Sequence, residues 1–308
     1  MPVTADAVDR RQLLLAGMAI AGVSVADQGA LAQETGAIPA AAAAGVQQDM
    51  APCRFGAIHY HFVKPAKPTG KLPVMCFHAS PGSGLGFTRF LPFLGSDRMV
   101  IAADNPGFGL SDRPPQPSTI ADFAGAMSDL MDALNLKQVD LVGSHTGSAT
   151  AVELTRQRPG AVRRLVLHSA PLFTPQEIAD YKVRLAGSHP ESLDQAAAQL
   201  PDLWSKFARM RNELGDDVAW KVFWEMNRDP LHRGWGHDAA FAYDYAGGLK
   251  QVKQPTLILN PQESMSPVTA RARGIAPNIQ VMDLPWTGGL FSLHAQDVAP
   301  LVRAHLDA

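Results

Sequence analysis

The chain has 308 residues, 27 basic and 29 acidic side chains, two cysteines and ten histidines, and is 46% hydrophobic and 18% charged. That balance excludes a disordered polymer, a coiled coil and a disulfide scaffold, and a net charge of −2 gives no electrostatic ground for binding nucleic acid or an anionic membrane. With 26 Gly and 24 Pro, many tight turns must separate the elements, which argues against a long helical bundle.

At the N-terminus, Asp9-Arg10-Arg11-Gln12 sets an arginine pair directly before a modestly apolar run, Leu13 to Val25. The run is too short and too rich in Gly and Ala to span a bilayer stably. Ala30-Leu31-Ala32 then offers small residues at the positions a signal peptidase reads. The segment resembles a twin-arginine export signal; the alternative is a disordered basic N-terminus. The resemblance implies loss of residues 1–32, a periplasmic mature protein and no membrane span left in it. Residues 33–50, with alanine at 40–44, read as a low-complexity tether, and the folded domain (51–308) is expected from about Ala51.

Arg54–Val63 alternates in part, as an edge hairpin does. Pro73–Phe77 is a continuous apolar run, which predicts a strand covered on both faces. Met99–Ala103, Val139–Val142, Leu165–Leu167, Thr256–Leu259 and Ile279–Leu284 share that character. Between the second and third of these six runs, Ile120, Phe123, Met127, Leu130, Met131 and Leu134 keep helical spacing behind a Thr119-x-x-Asp122 capping box. Val298, Leu301, Val302, His305 and Leu306 form a last helical stripe. Strands alternating with helices predict an α/β fold, a mostly parallel sheet wrapped by helices. Residues 172–247 break the rhythm. They hold Trp204, Trp220, Trp224 and Trp235 and no convincing strand, which predicts a helical insertion. Its aromatics form either its own core or the lining of an apolar pocket beneath a lid.

Four motifs then carry a resemblance. His78-Ala79-Ser80-Pro81-Gly82 follows a strand, and Asp104-Asn105-Pro106-Gly107-Phe108-Gly109 leads into Leu110-Ser111-Asp112-Arg113-Pro114. Leu141-Val142-Gly143-Ser144-His145-Thr146-Gly147 reads as a strand-turn-helix, and Pro255–Leu259 as a late strand. Together they resemble the α/β-hydrolase superfamily, in particular epoxide hydrolases, haloalkane dehalogenases and related esterases. The resemblance covers about residues 52–308 and implies an eight-stranded-type, mostly parallel sheet with a helical lid at about 172–247. It also implies an oxyanion turn at His78–Gly82 and a nucleophile elbow at Gly143–Gly147.

The chain departs from that pattern at three places. Glycines 143 and 147 put His145 in the nucleophile slot. The position aligned with the acid is Ser264, with Glu263 one residue earlier. No histidine stands in Thr287–Phe291 before the last helix, and His294 comes later. A Ser-His-Asp triad is therefore not expected, nor is labelling by serine-directed organophosphonates. Histidine tolerates positive φ better than most residues, and its imidazole suits a base or a nucleophile. The backbone N–H groups of Thr146 and Ser80 are the expected oxyanion donors. Ser144 is expected to point away from the pocket, and His78 to be structural. Ser80 can add its hydroxyl. Glu263 either orients His145 or is a solvated loop carboxylate. His168, at a strand end, is a second imidazole at the sheet edge where ligands bind. Asp244 and Tyr245 are further contact candidates.

Cys53 and Cys76 fall on strands not expected to be neighbours, so two thiols and no disulfide are expected. No Cys/His metal spacing, Walker loop or Gly-x-Gly-x-x-Gly is present, so no metal or cofactor is expected. The leading expectation is hydrolysis, or related acyl or carbon-acid chemistry, on a small, largely apolar ester, epoxide or lactone-like molecule. His145 would act as base or nucleophile. A lyase or cofactor-free oxygenase step needs the same base and oxyanion site. A non-catalytic small-molecule-binding relative is the alternative from a different class.

Overall fold

Successive side chains of a strand face opposite ways, so a run that is apolar throughout must be covered on both faces. The computed structural model, which describes residues 45–308, obeys this in one sheet of eight strands. These are β1 (Gln47–Cys53), β2 (Gly56–Val63), β3 (Val74–Phe77), β4 (Val100–Ala103), β5 (Val139–Ser144), β6 (Val162–His168), β7 (Thr256–Asn260) and β8 (Ile279–Asp283). Their order is β1-β2-β4-β3-β5-β6-β7-β8, antiparallel where β2 meets β1 and β4 and parallel from β4 onward. Helix α1 (Leu91–Leu94) packs on one face. Helices α2 (Ile120–Ala133) and α3 (Thr146–Gln157) pack on the other.

The strands divide their side chains by the period of two. Met75, Phe77, Ile101, Leu141, Leu165, Leu167 and Ile258 join the core under α2 and α3. Val74, Cys76, Val100, Ala102, Val142, Val166, Leu257 and Leu259 join a second core. That core is covered by α1 and by the last helix, whose Val298, Val302 and Leu306 are buried. The predicted capping box of α2 is present: Thr119 and Asp122 satisfy each other's backbone N–H groups. Cys53 and Cys76 are free, on strands separated by β2 and β4.

Between β6 and β7 run α4 (Pro175–Ala186), α5 (Leu193–Ala198), α6 (Leu200–Leu214), α7 (Asp216–Asn227), α8 (Trp235–Ala242) and α9 (Tyr245–Gln251). Then α10 (Ser266–Thr269) follows β7, and α11 (Ala295–Asp307) closes the fold. Among the described residues no helix is long and apolar enough to cross a membrane.

One expectation is corrected. Gln47–Met50, read as tether, are the outer half of β1. Their side chains are exposed, so no apolar alternation marks them, and backbone pairing with β2 alone makes the strand. Of the two alternatives for the insertion's aromatics, the tryptophans of α6 and α7 follow the first, packing with the insertion's own core. Trp204, Trp220 and Trp224 are 54%, 44% and 52% exposed and pack around Phe207 and Phe223 in a small core of their own. The export-signal reading of residues 1–32 lies outside the described residues.

One ionic cluster ties α11 to the start of β4. The fully buried Arg98 guanidinium donates to Asp97 and, at 2.6 Å, to Asp307; Lys71 reaches both carboxylates at 2.8 and 2.7 Å. Burial works to raise the two carboxyls, but Arg98 and Lys71 outweigh it and hold both below the usual range. A depressed carboxyl stabilises the fold above its unfolded pKa, about 3.9, and loses that contribution as pH falls. Asp307→Asn is expected to cost about 1–3 kcal/mol in urea unfolding at pH 7, with the difference from wild type shrinking below about pH 4.

Candidate functional site

The turn between β5 and α3 leaves no room for side chains at its flanks. A Cβ on Gly147 would lie 2.0 Å from the Phe77 carbonyl oxygen, and one on Gly143 would lie 2.5 Å from the Gly147 carbonyl oxygen. Only glycine fits either position. The apex between them is His145, forced to φ 49° and ψ −109°. Its side chain is buried. Thr146 opens α3, where first-turn N–H groups have no intrahelical partner.

His168 ends β6 and Glu263 follows β7, so both reach the C-terminal sheet edge beside His145. The structure brings these three predicted residues together. Glu263 Oε1 lies 3.3 Å from His145 Nε2 and 3.4 Å from His168 Nε2, and the two rings meet edge to face at 4.7 Å. The solvated-loop alternative for Glu263 fails, because all three side chains are buried. Burial pushes the His145 imidazole down to about 4, with Glu263 opposing the shift. Burial would raise the Glu263 carboxyl, but the imidazoles and the Ser169 hydroxyl, which donates to Oε1, hold it below the usual carboxylate range.

Ser144 does not enter the space lined by the apex residue; its Oγ lies 2.9 Å from His168 Nδ1, in a separate cavity. Ser144 and His168 both line a cavity of about 130 Å³, with His78, Phe87, Met226 and Phe291 among its walls. The reason is that β6 presents an imidazole where the residue preceding the elbow apex comes out. His145 instead lines, with Thr146, Phe173, Phe241 and Met265, a smaller apolar cavity of about 30 Å³. Its Nδ1 faces the Met265 sulfur at 3.1 Å.

Other candidates are placed as follows. His78 Nε2 accepts the Asn105 N–H at 2.9 Å, so Nδ1 carries the proton and donates to the Ala79 carbonyl; the ring fastens the turn as well as lining the cavity. Ser80 is buried with an unpartnered hydroxyl. Asp104 ties its loop to β2 through His59 at 2.8 Å and accepts from the Gly84 and Leu110 N–H groups. Asp244 caps α9, Tyr245 is buried in the main core, and neither lines the cavities around the elbow. His294 stacks on Trp286 at 4.9 Å, at the start of α11.

Sequence reasoning missed Ser169, Met265 and Glu225. Ser169 was signalled only by its place directly after His168. Glu225, on α7, lines the larger cavity and pairs with Ser83, but nothing in its spacing distinguishes it from a surface carboxylate. Burial pushes its carboxyl up to about 7, with Asp104 adding to the shift.

Two substitutions test this geometry. His145→Gly and His145→Ala remove the same imidazole, but only glycine relieves the positive φ. His145→Gly is expected to unfold about 1–2 kcal/mol later than His145→Ala, the relieved strain less the added chain entropy of glycine. Equal stabilities in urea would show that the apex is unstrained. A carboxyl raised above its unfolded value loses stability as pH rises between the two values, here from about 4.5 to about 7. Glu225→Gln is therefore expected to stabilise the protein at pH 8 by about 1–3 kcal/mol more than at pH 4.5.

Comparison with known proteins agrees with this architecture. Residues 73–233 match the family described as the alpha/beta hydrolase fold. A 2-hydroxymuconate semialdehyde hydrolase of Pseudomonas sp. (strain CF600) is 35% identical over 155 residues, 48% of this chain and 51% of that protein. A 2-hydroxy-6-oxo-2,4-heptadienoate hydrolase of Pseudomonas putida is 39% identical over 158 residues, 48% of this chain and 52% of that protein. The chain spans about half the length of these curated relatives. The crystal structure of a hydrolase from Pseudomonas aeruginosa PA01 superposes with a TM-score of 0.69 over 85% of this chain and 99% of that one, at 21% identity, a likeness of fold alone. The family match, over more than half of the chain, establishes that it belongs to the α/β-hydrolase fold family.

Proposed function

We propose that this protein hydrolyses a small, largely apolar ester or lactone, with the His145–Glu263–His168 cluster as its base centre. One observation carries the reading: the Ser144 hydroxyl sits 2.9 Å from an imidazole whose far nitrogen faces a buried carboxylate, and hydroxyl and imidazole both line the larger cavity. His168 would take the Ser144 proton as the oxygen attacks the carbonyl, and would return it to the leaving alkoxide. Glu263 would stabilise the imidazolium between those steps. Water would then release the acid by the reverse proton path. Were His145 at the apex to attack instead, the N–H groups of Thr146 and Ser80 would be the oxyanion donors. The cavity's walls of Phe87, Met226 and Phe291 suit an apolar acyl group. The names of the two curated relatives, both hydrolases, support hydrolysis as the reaction class. The twin-arginine reading of residues 1–32 would place this activity in the periplasm, and α4–α9 would serve as its lid.

A second reading keeps His145 as base or nucleophile, favoured by its place at the elbow apex with φ 49°. A fluorophosphonate probe and a panel of short esters and lactones separate the two. The first reading expects stoichiometric labelling at Ser144, and a loss of about 10³-fold or more in kcat/KM for both Ser144→Ala and His168→Ala. Turnover that survives Ser144→Ala but is abolished by His145→Gly would transfer the role to His145.

A further inference from the structure

Three buried polar atoms at the elbow make no well-aligned hydrogen bond: Glu263 Oε2, and His145 Nε2 and His168 Nε2, which have only the long contacts to Glu263 Oε1. Leaving such atoms unsatisfied in an apolar interior is costly, and clusters of them mark a missing partner. One ligand atom from each of these three side chains lies within 4.8 Å of the other two. His145 Nε2 and His168 Nε2 stand 3.3 and 3.4 Å from Glu263 Oε1. Two ligands each about 2.0–2.1 Å from a tetrahedral ion are roughly 3.3–3.4 Å apart, so these two separations match two edges of such a site, and binding would draw the third pair, within 4.8 Å, to the same spacing.

The far side of each group is also in place. His168 Nδ1 faces Ser144 Oγ at 2.9 Å, His145 Nδ1 faces the Met265 sulfur at 3.1 Å, and Ser169 donates to Glu263. Outer contacts of this kind orient imidazoles and carboxylates that ligate metals. No motif announces the set, because its members come from three separate strand ends.

We propose that His145, His168 and Glu263 form a binding site for one divalent transition-metal ion, with a fourth position left for an oxygen ligand. Two imidazoles and one carboxylate favour Zn²⁺, or Co²⁺ in its place, over Mg²⁺ and Ca²⁺. The site does not depend on Ser144 as nucleophile; the two are alternative states of His168. A metal on Nε2 fixes the ring proton at Nδ1, where it is donated to Ser144 Oγ. That imidazole can no longer accept the Ser144 proton, so occupancy shuts the serine route.

The test uses tag-free full chain, stripped with a chelator and titrated with Co²⁺ and then Zn²⁺. One equivalent of Co²⁺ is expected to give the intense visible absorption of a tetrahedral site, and one equivalent of Zn²⁺ to remove it. Zn²⁺ affinity is expected to fall at least about tenfold in Glu263→Gln and in His168→Gln, both checked for folding by circular dichroism, and to stay unchanged in His305→Gln. Wild-type protein that takes up no stoichiometric Co²⁺ or Zn²⁺ overturns the proposal. So does uptake that survives both cluster substitutions. Fluorophosphonate labelling is followed in parallel. Labelling of the stripped protein that Zn²⁺ abolishes supports the metal site together with the serine reading. Stoichiometric Zn²⁺ with no labelling in either state retires Ser144 and keeps the metal site. Labelling indifferent to bound Zn²⁺ places the ion elsewhere and overturns the proposal.

Discussion

The close approach of Gly147 to the carbonyl of Phe77 governs the rest of the site. Because no Cβ fits there, the N-terminus of α3 can sit directly on the ends of β3 and β5. The apex residue then has one path, through positive φ, and His145 takes it. Its backbone N–H donates to the His168 carbonyl at 2.9 Å, and the Ser148 hydroxyl reaches the same oxygen at 3.0 Å. Ser169, one residue on, donates its N–H to Leu259 at the end of β7, which brings the loop carrying Glu263 into range. Three strand ends are thus locked to one turn, and the chemistry follows from backbone packing.

Glu263 is the electrostatic counterpart of that lock. It is one buried carboxylate faced by two imidazoles and a hydroxyl. Each of these can donate to it in one protonation state. Burial favours a neutral His145, so the negative charge of Glu263 is not cancelled from that side. That charge stabilises a proton arriving at His168 during acyl transfer. It equally stabilises a cation held between the three groups. The same arrangement therefore supports a proton relay and a metal site, and the position of the His168 ring proton decides between them.

Much of this architecture was legible. Continuous apolar runs marked strands covered on both faces, and Thr119 with Asp122 marked the start of α2. The spacing of Gly143 and Gly147 identified the elbow. The half of β1 that pairs only through its backbone was invisible, because Gln47, Gln48, Asp49 and Met50 carry no buried face. The partner of Ser144 was invisible for a related reason. Its neighbour, His168, lies on a different strand, and the bond between them depends on the register of β5 against β6, where Ser144 is paired with His168. Sequence patterns encode which face a residue occupies; they do not encode which side chain waits across the strand. Glu263 illustrates the same limit, since its burial comes from the loops around it and not from its own neighbours.

The cover over the larger cavity is held differently from its floor. The floor includes Phe87, Leu290 and Phe291 of the core under α1 and α11, whereas α6 and α7 carry a small separate core built on Phe207, Met210 and Phe223. They are joined to the main body by polar links: Glu225 with Ser83, Arg228 to the Gly109 carbonyl at 2.7 Å, and Arg89 to the Leu214 carbonyl at 3.1 Å. Links of this kind exchange for water at low cost, while a buried apolar seam does not. Because Glu225 forms one of those links and also lines the cavity, ionisation of a single side chain acts on both the link to Ser83 and the polarity of the space beside it.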